Sequence, residues 1–434
     1  MTLREELEHL KPFEARSIIE DLRKGSVPID YVSFFTVGRQ NWLKFIEEDL
    51  DNYIAQGGAK VRFINGDYGD GKTHFMSIVR HLSLEKGFSV SFVVLTREVP
   101  VHKFEVVYQT MVRQLCGTFE GVGIRQLVDT WTDSLEPDLT AEDGSAFQER
   151  LTALGETLRA LPGMDLNFAN ALIGLADNRF RPSEERETEG DRVQAREVLF
   201  QWFEGARVSK RELKPFQIFE ALDKTNSKRF LGSLIAFLGH LGYKGLILLM
   251  DELETVIAQS ASIRNAAYEN VRLLIDNAEQ AAHLHIFMSI IPDVILSEKG
   301  FKSYDALWSR VRSIGEGKRL NYRSVLIDLH RTPLETDELV ELGLCLCRIH
   351  ELAYRWDTKG QIGEGLIKKM CAAQKRMGLL SEVRLFIKQV IRTLDMIEQG
   401  TPPDEEGDLT EQLVASQQEM EQEKVEQLQP KWDR

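Results

Sequence analysis

Apolar positions along the chain follow two rhythms. Short alternating or wholly apolar runs at Lys60 to Asn65, Ser89 to Leu95, Gly245 to Met250, His285 to Ile291 and Ser324 to Leu329 predict five strands, the fourth closed by Pro292. Around them the spacing is helical: Ala15 to Arg23, stopped at Gly25; Gln40 to Ile54, leading through Gly57-Gly58 into the first strand; His74 to Arg80; Tyr108 to Leu115; and Arg229 to Leu241. Strands alternating with helices predict an α/β fold with a parallel sheet, because a crossover between parallel strands takes a helix. From Glu335 to about Glu398 the spacing is helical throughout, which predicts a small all-α domain behind the sheet.

Composition narrows the class. With 434 residues, 43% hydrophobic and 28% charged, the chain has the make-up of a soluble globular protein of two or three domains. No apolar stretch approaches a membrane span, and Met1 to Leu7 lacks the apolar core of a signal peptide, so no membrane association is expected. Four scattered cysteines give neither a disulfide framework nor a metal pair, and Cys345-Leu346-Cys347 reads as two small core residues; a reducing cytoplasm is the expected setting. The net charge of −14 argues against an all-over embrace of nucleic acid, yet half of it sits in residues 401–434, where ten acidic residues face three basic ones. A local basic surface on the folded part stays open, with Lys210, Arg211, Lys214, Lys318, Arg319 and Arg323 as its candidates and an ordinary solvated face as the alternative.

The strongest chemical signal follows the first strand. Gly66-Asp67-Tyr68-Gly69-Asp70-Gly71-Lys72-Thr73 is a complete phosphate loop, and His74 opens the helix that must come next. Gly66, Gly69 and Gly71 let backbone N–H groups curl around a phosphate, and the helix N-terminus adds its partial positive charge. Lys72 is placed to reach the β- and γ-phosphates of ATP, and Thr73 to offer its hydroxyl to Mg²⁺. A chance glycine turn is the alternative, and the strand before and helix after weigh against it.

A second motif decides between holding a nucleotide and hydrolysing it. The run Gly245 to Met250 ends in Asp251-Glu252, a central strand delivering two carboxylates at its C-terminal edge. Asp251 would hold Mg²⁺ and Glu252 would orient and deprotonate the attacking water. An apolar strand that happens to meet an acidic helix cap is the bland alternative. Since 179 positions separate Lys72 from Asp251, while one strand-helix-strand unit takes about 30 residues, an insertion is expected at about 117–230. Helical spacing at Leu151 to Leu161 and Val193 to Phe203 makes that insertion helical. The resulting division is an N-terminal helical segment 1–58, a nucleotide-binding core 59–334 with the insertion, a helical domain 335–399, and an acidic, disordered or solvated tail 400–434.

These parts, with a polar residue near the end of the fourth strand and basic residues before the fifth, resemble the layout of AAA+ P-loop ATPases with a five-stranded parallel core and a C-terminal helical lid. Within that class the chain is similar to the origin-recognition-like branch, and more narrowly to the BrxD-like ATP-binding proteins of BREX-type bacterial phage-defence systems. The narrower likeness rests on Ala15 to Gly25, Val37-Gly38-Arg39, Phe63 to Phe75, and Gly242-Tyr243-Lys244-Gly245 running into Asp251-Glu252-Leu253-Glu254, and it covers residues 12–398. The resemblance implies that Ser289 is a sensor of the γ-phosphate, that Arg310 or Arg312 reaches a neighbouring subunit's nucleotide, that Arg384 touches the nucleotide from the lid, and that Gly38 and Arg39 lie near the adenine. The first three have plain rivals: a strand serine bonded to backbone, surface charge, and a solvent-facing helix arginine. Where relatives of the origin-recognition type carry a winged-helix DNA-binding domain after the lid, only the acidic tail follows here, which leaves DNA contact weak or indirect.

The expectation is therefore a Mg²⁺-dependent ATP hydrolase, oligomeric in ATP, working with other defence proteins such as a helicase and on or near DNA. A rival of another class is a nucleotide-gated scaffold that recruits a helicase, nuclease or methyltransferase with little turnover of its own. A small-molecule kinase is a weaker third, since no second-substrate pocket is evident.

Overall fold

The computed structural model describes residues 7, 9–140, 144–182, 188–278, 282–311, 320–358, 362–377, 379, 382–401, 414 and 418. Arg312, Lys318 and Arg319 lie outside them, as does most of the acidic tail. The chain divides into two compact units: residues 1–45, 64–81 and 320–434 form the first, and 46–63 and 82–319 the second.

The second unit carries most of the sheet. Its strands are β1 (Ala59–Asn65, whose last two residues belong to the first unit), β2 (Ser89–Val94), β3 (Leu115–Cys116), β4 (Leu246–Asp251) and β5 (Leu284–Ile290). With β6 (Leu326–Asp328) beside the end of β1, where Leu329 N–H donates to Asn65 O at 2.8 Å, the order is β3-β2-β4-β5-β1-β6. The sheet is thus six-stranded and mixed, a correction to the expected five-stranded parallel one. Strand β3 runs antiparallel to β2, pairing Cys116 with Val90 and Leu115 with Ser91. The helix expected to run to Leu115 stops at Arg113, so the chain turns back along the edge of β2. Strands β2, β4 and β5 are parallel, and all six residues of β4 are buried, as a wholly apolar run between two neighbours requires.

Between β3 and β4 the chain is helical, with α-helices at Ile124–Ser134, Gly144–Arg159, Leu166–Phe180 and Glu189–Phe203 before the helix Ser227–His240 that leads into β4. Aromatic residues fill this part: Phe168, Trp202, Phe203 and Phe230 are buried and make tilted and edge-to-face contacts.

In the first unit the helix Pro12–Arg23 packs with the three C-terminal helices, Thr336–Tyr354, Glu364–Arg376 and Val383–Glu398, around one core that includes Ile18, Ile19, Leu346, Ile349, Phe386 and Val390. Polar groups pin the same elements. Arg23 donates to both Asp395 oxygens at 3.1 and 2.8 Å, and His350 Nε2 lies 3.0 Å from Asp395 while Trp356 N–H donates to its Nδ1. The Trp356 bond leaves the ring proton on Nε2, facing the carboxylate. Cys345 and Cys347 are buried in this core, as expected, and burial pushes both thiols up to about 12. Among the described residues no helix is long and apolar enough to cross a membrane.

Candidate nucleotide-binding site

In the first unit β1 runs into the glycine loop, and the helix Lys72–Glu85 begins at Lys72. Gly69 and Gly71 have φ of +94° and +84°, a backbone region that side chains disfavour, which is why the loop can curl here. Lys72 is buried and its Nζ donates to Gly66 O at 2.9 Å and Asp67 O at 3.2 Å, 5.1 Å from the Tyr68 ring centroid. The ammonium thus sits against the loop's own carbonyls, where it can exchange them for phosphate oxygens. Thr73 stands second in the helix, partly buried.

Not every loop amide is open to a phosphate. Asp67 N–H donates to Asp70 Oδ2 at 2.7 Å, and the Asp70 carboxyl is buried, which raises its pKa against the pull of that bond. His330, just beyond β6, brings Nδ1 to 3.3 Å from Asp67 Oδ2 and 3.5 Å from Asp70 Oδ2. His330 was not singled out by the sequence; its place at the end of the strand beside the loop was the available signal.

Four residues read as part of the nucleotide site are placed on the loop's flanks. Arg39, in a left-handed conformation at φ 58°, donates from Nη2 to Asp70 O at 2.6 Å, and its Nε is shut from solvent although the residue as a whole keeps some exposure. Burial holds its pKa down to about 10, so the guanidinium stays charged. A Cβ on Gly38 would stand 2.7 Å from Glu338 Oε1, so Gly38 marks close packing on the C-terminal helical part. His74 Nε2 lies 3.3 Å from Thr36 Oγ1, and its ring lies 5.1 Å from Phe35. Arg384, opening the last helix, reaches the loop by its backbone, with N–H to Gly69 O at 3.4 Å. Its guanidinium lies over Gly25, where a Cβ would come to 2.8 Å from Cζ.

The second unit holds the carboxylates. Asp251 ends β4, and register with β5 sets it beside Ser289, one step past the Met250–Met288 pair. The buried Ser289 hydroxyl donates to Asp251 Oδ1 and accepts from Glu252 N–H at 2.9 Å, and the same N–H lies 3.1 Å from Asp251 Oδ1. Glu252 itself is exposed and adopts φ 64°, ψ 42°, a left-handed conformation that costs a non-glycine residue about 1–2 kcal/mol. A buried aspartate with a fixed orientation, next to an exposed glutamate on a strained turn, is chemically able to hold a cation and to present a base. Its donors are oxygens, which suits a hard ion such as Mg²⁺. Arg310 is engaged within its own unit: Nη2 donates to Asp276 Oδ2 at 2.9 Å, and Arg272 shares that carboxylate at 2.9 Å.

Residues 10–412 match the family described as BREX system ATP-binding protein BrxC/D. The chain belongs to that family. No curated protein matches it. Among solved structures, a Walker-type ATPase of Pyrococcus abyssi is similar at 14% identity over 91% of this chain and 75% of that one, with a TM-score of 0.38.

Proposed function

We propose that this ATP-binding protein of a BREX defence system hydrolyses its nucleotide. The observation that supports the reading best is the Ser289 bridge, which orients the Asp251 carboxylate and the Glu252 backbone together. In this reading the amides of the glycine loop and Lys72 bind the phosphates, and Thr73 and Asp251 hold Mg²⁺, which when bound neutralises charge on the phosphate oxygens. Glu252 takes a proton from water positioned for in-line attack on the γ-phosphorus, and Ser289 keeps Asp251 in place. Arg39 and Arg384 act by holding the loop. The products are ADP and phosphate, with no covalent intermediate.

An arginine supplied in trans completes the site in this proposal, which makes the working form a homo-oligomer, acting with other defence proteins and on or near DNA. As that arginine, Arg310 must exchange Asp276 for a phosphate, a trade of one partly exposed ion pair worth about 1 kcal/mol. The same pairing favours a second reading, a nucleotide-gated switch with little turnover, because the arginine is engaged at home. Phosphate release by the purified chain with ATP and Mg²⁺, across a wide dilution series, separates the two. Turnover per chain that rises with concentration supports the hydrolase; tight nucleotide binding without phosphate release at any concentration supports the switch.

A further inference from the structure

The segment 207–219 of the second unit stands apart from the rest of this acidic chain. Arg207, Lys210, Arg211 and Lys214 are all exposed, and among the described residues none of the four pairs with a carboxylate. The single anion among them, Glu212, is taken up by Ser209: its carboxylate accepts from Ser209 N–H at 3.1 Å and from the hydroxyl at 2.5 Å. Lys210–Leu213 is one helical turn continued by Lys214–Phe216, so Lys210 and Lys214 share a face.

The segment is firmly seated. Ile218 is buried, and a Cβ on Gly174 would stand 3.0 Å from the Phe216 ring. Asn170 Nδ2 donates to Gln217 O at 2.9 Å, and Phe219 N–H donates to Asn167 Oδ1 at 2.8 Å. At the end of this anchored stretch the Phe219 side chain is 65% exposed, and Leu166, next to Asn167, is 55% exposed. An apolar ring held out in water within a dozen residues of four exposed cations that pair with no carboxylate among the described residues matches a ligand with regular negative charge and planar apolar faces.

We propose that segment 207–219 binds single-stranded nucleic acid, the four cations following phosphates and Phe219 stacking on a base. Carboxylates of a protein partner gain little from exposed cations, since such pairs contribute about 0–1 kcal/mol each. A polyelectrolyte gains more, because every phosphate neutralised releases condensed counterions. A duplex fits less well, since its bases are already stacked and offer no face to the ring. The inference is independent of ATP hydrolysis and is tested without nucleotide.

The experiment is fluorescence anisotropy of the full chain with a labelled oligothymidylate of about 20 nucleotides at roughly 50 and 200 mM salt. Four phosphate contacts on a single strand predict binding roughly 50-fold weaker at the higher salt, and Lys210→Ala with Lys214→Ala should flatten the logarithmic salt slope by about 1.4. Phe219→Ala should weaken binding about 5- to 100-fold and leave the slope alone. Unchanged thermal melting of these surface variants shows that the losses belong to the contact. Binding by the variants equal to the parent, or no binding at low salt, overturns the proposal. Polyglutamate held as tightly as the oligonucleotide, with the same sensitivity to the variants, overturns it in favour of an acidic protein partner.

Discussion

Replacing Ser289 by alanine removes one hydroxyl from a fully buried place and tests what holds the carboxylate pair. In the folded protein that oxygen donates to Asp251 Oδ1 and accepts from Glu252 N–H at 2.9 Å. The bond to a charged acceptor is worth about 1.5–3 kcal/mol, and the void left by one oxygen is small beside it. Glu252 N–H keeps a partner in Asp251 Oδ1 at 3.1 Å, so its desolvation is largely covered and the expected loss stays near 2–3 kcal/mol. The second consequence is chemical. With the Ser289 bond gone, Asp251 is held less firmly and should bind Mg²⁺ less well, and loss of such a supporting bond lowers metal affinity or activity about 10- to 100-fold. Urea denaturation without nucleotide measures the first effect, and turnover as a function of Mg²⁺ concentration the second. Ser289→Thr restores the hydroxyl but adds a methyl to a packed strand, so it should recover the Mg²⁺ dependence while losing about 1–3 kcal/mol of stability. Alanine within about 0.5 kcal/mol of the parent, with the same Mg²⁺ dependence, would mean that Ser289 does not hold the carboxylate pair.

Other elements respond in separable ways. Gly25→Ala meets a φ of +77° and the Arg384 guanidinium, so it should lose about 1–2 kcal/mol to backbone strain and more to the displaced side chain; Arg384→Ala in the same chain should restore part of that loss, and strictly additive melting shifts would contradict the contact. His285 is buried with neither ring nitrogen bonded among the described residues, and burial, then Arg62 and Lys60, holds its pKa well below the ordinary value. Only the unfolded chain then takes up its proton near neutral pH, so stability should fall as pH drops below about 6.5, by about 1.4 kcal/mol per unit for this group. His285→Phe should remove that contribution, and equal slopes for both proteins between pH 6.5 and 5 would speak against it. Arg310→Ala, inactive alone if the arginine acts in trans, should regain turnover when mixed with Glu252→Gln; no recovery at any ratio leaves Arg310 as the partner of Asp276.

Parts of this protein that are set by neighbours in sequence could be read from the chain. The glycine loop declares itself because its geometry is local: positive φ at Gly69 and Gly71, and a helix beginning at Lys72. Strand β4 was equally plain, its six buried residues being the apolar run that ends at Asp251. Strand β3 was not, since two residues carry no periodicity and its antiparallel pairing depends only on the edge of β2 being free. The flanks of the loop depend on contacts between distant segments. Gly25 read as a helix stop, and nothing nearby in sequence announces that Arg384 lies over it. Arg39 was expected near an adenine and is placed on the Asp70 carbonyl, while His330 reaches Asp67 and Asp70 only because β6 lies beside the end of β1.

Measuring ATP binding and phosphate release in parallel for Glu252→Gln and Lys72→Ala tests whether the chain divides nucleotide binding and water activation between Lys72 and Glu252. Glu252→Gln should retain the nucleotide and lose turnover by about 10²- to 10⁴-fold, the usual share of a general base, whereas Lys72→Ala should lose both. Phosphate release at the parent rate from Glu252→Gln would contradict the account.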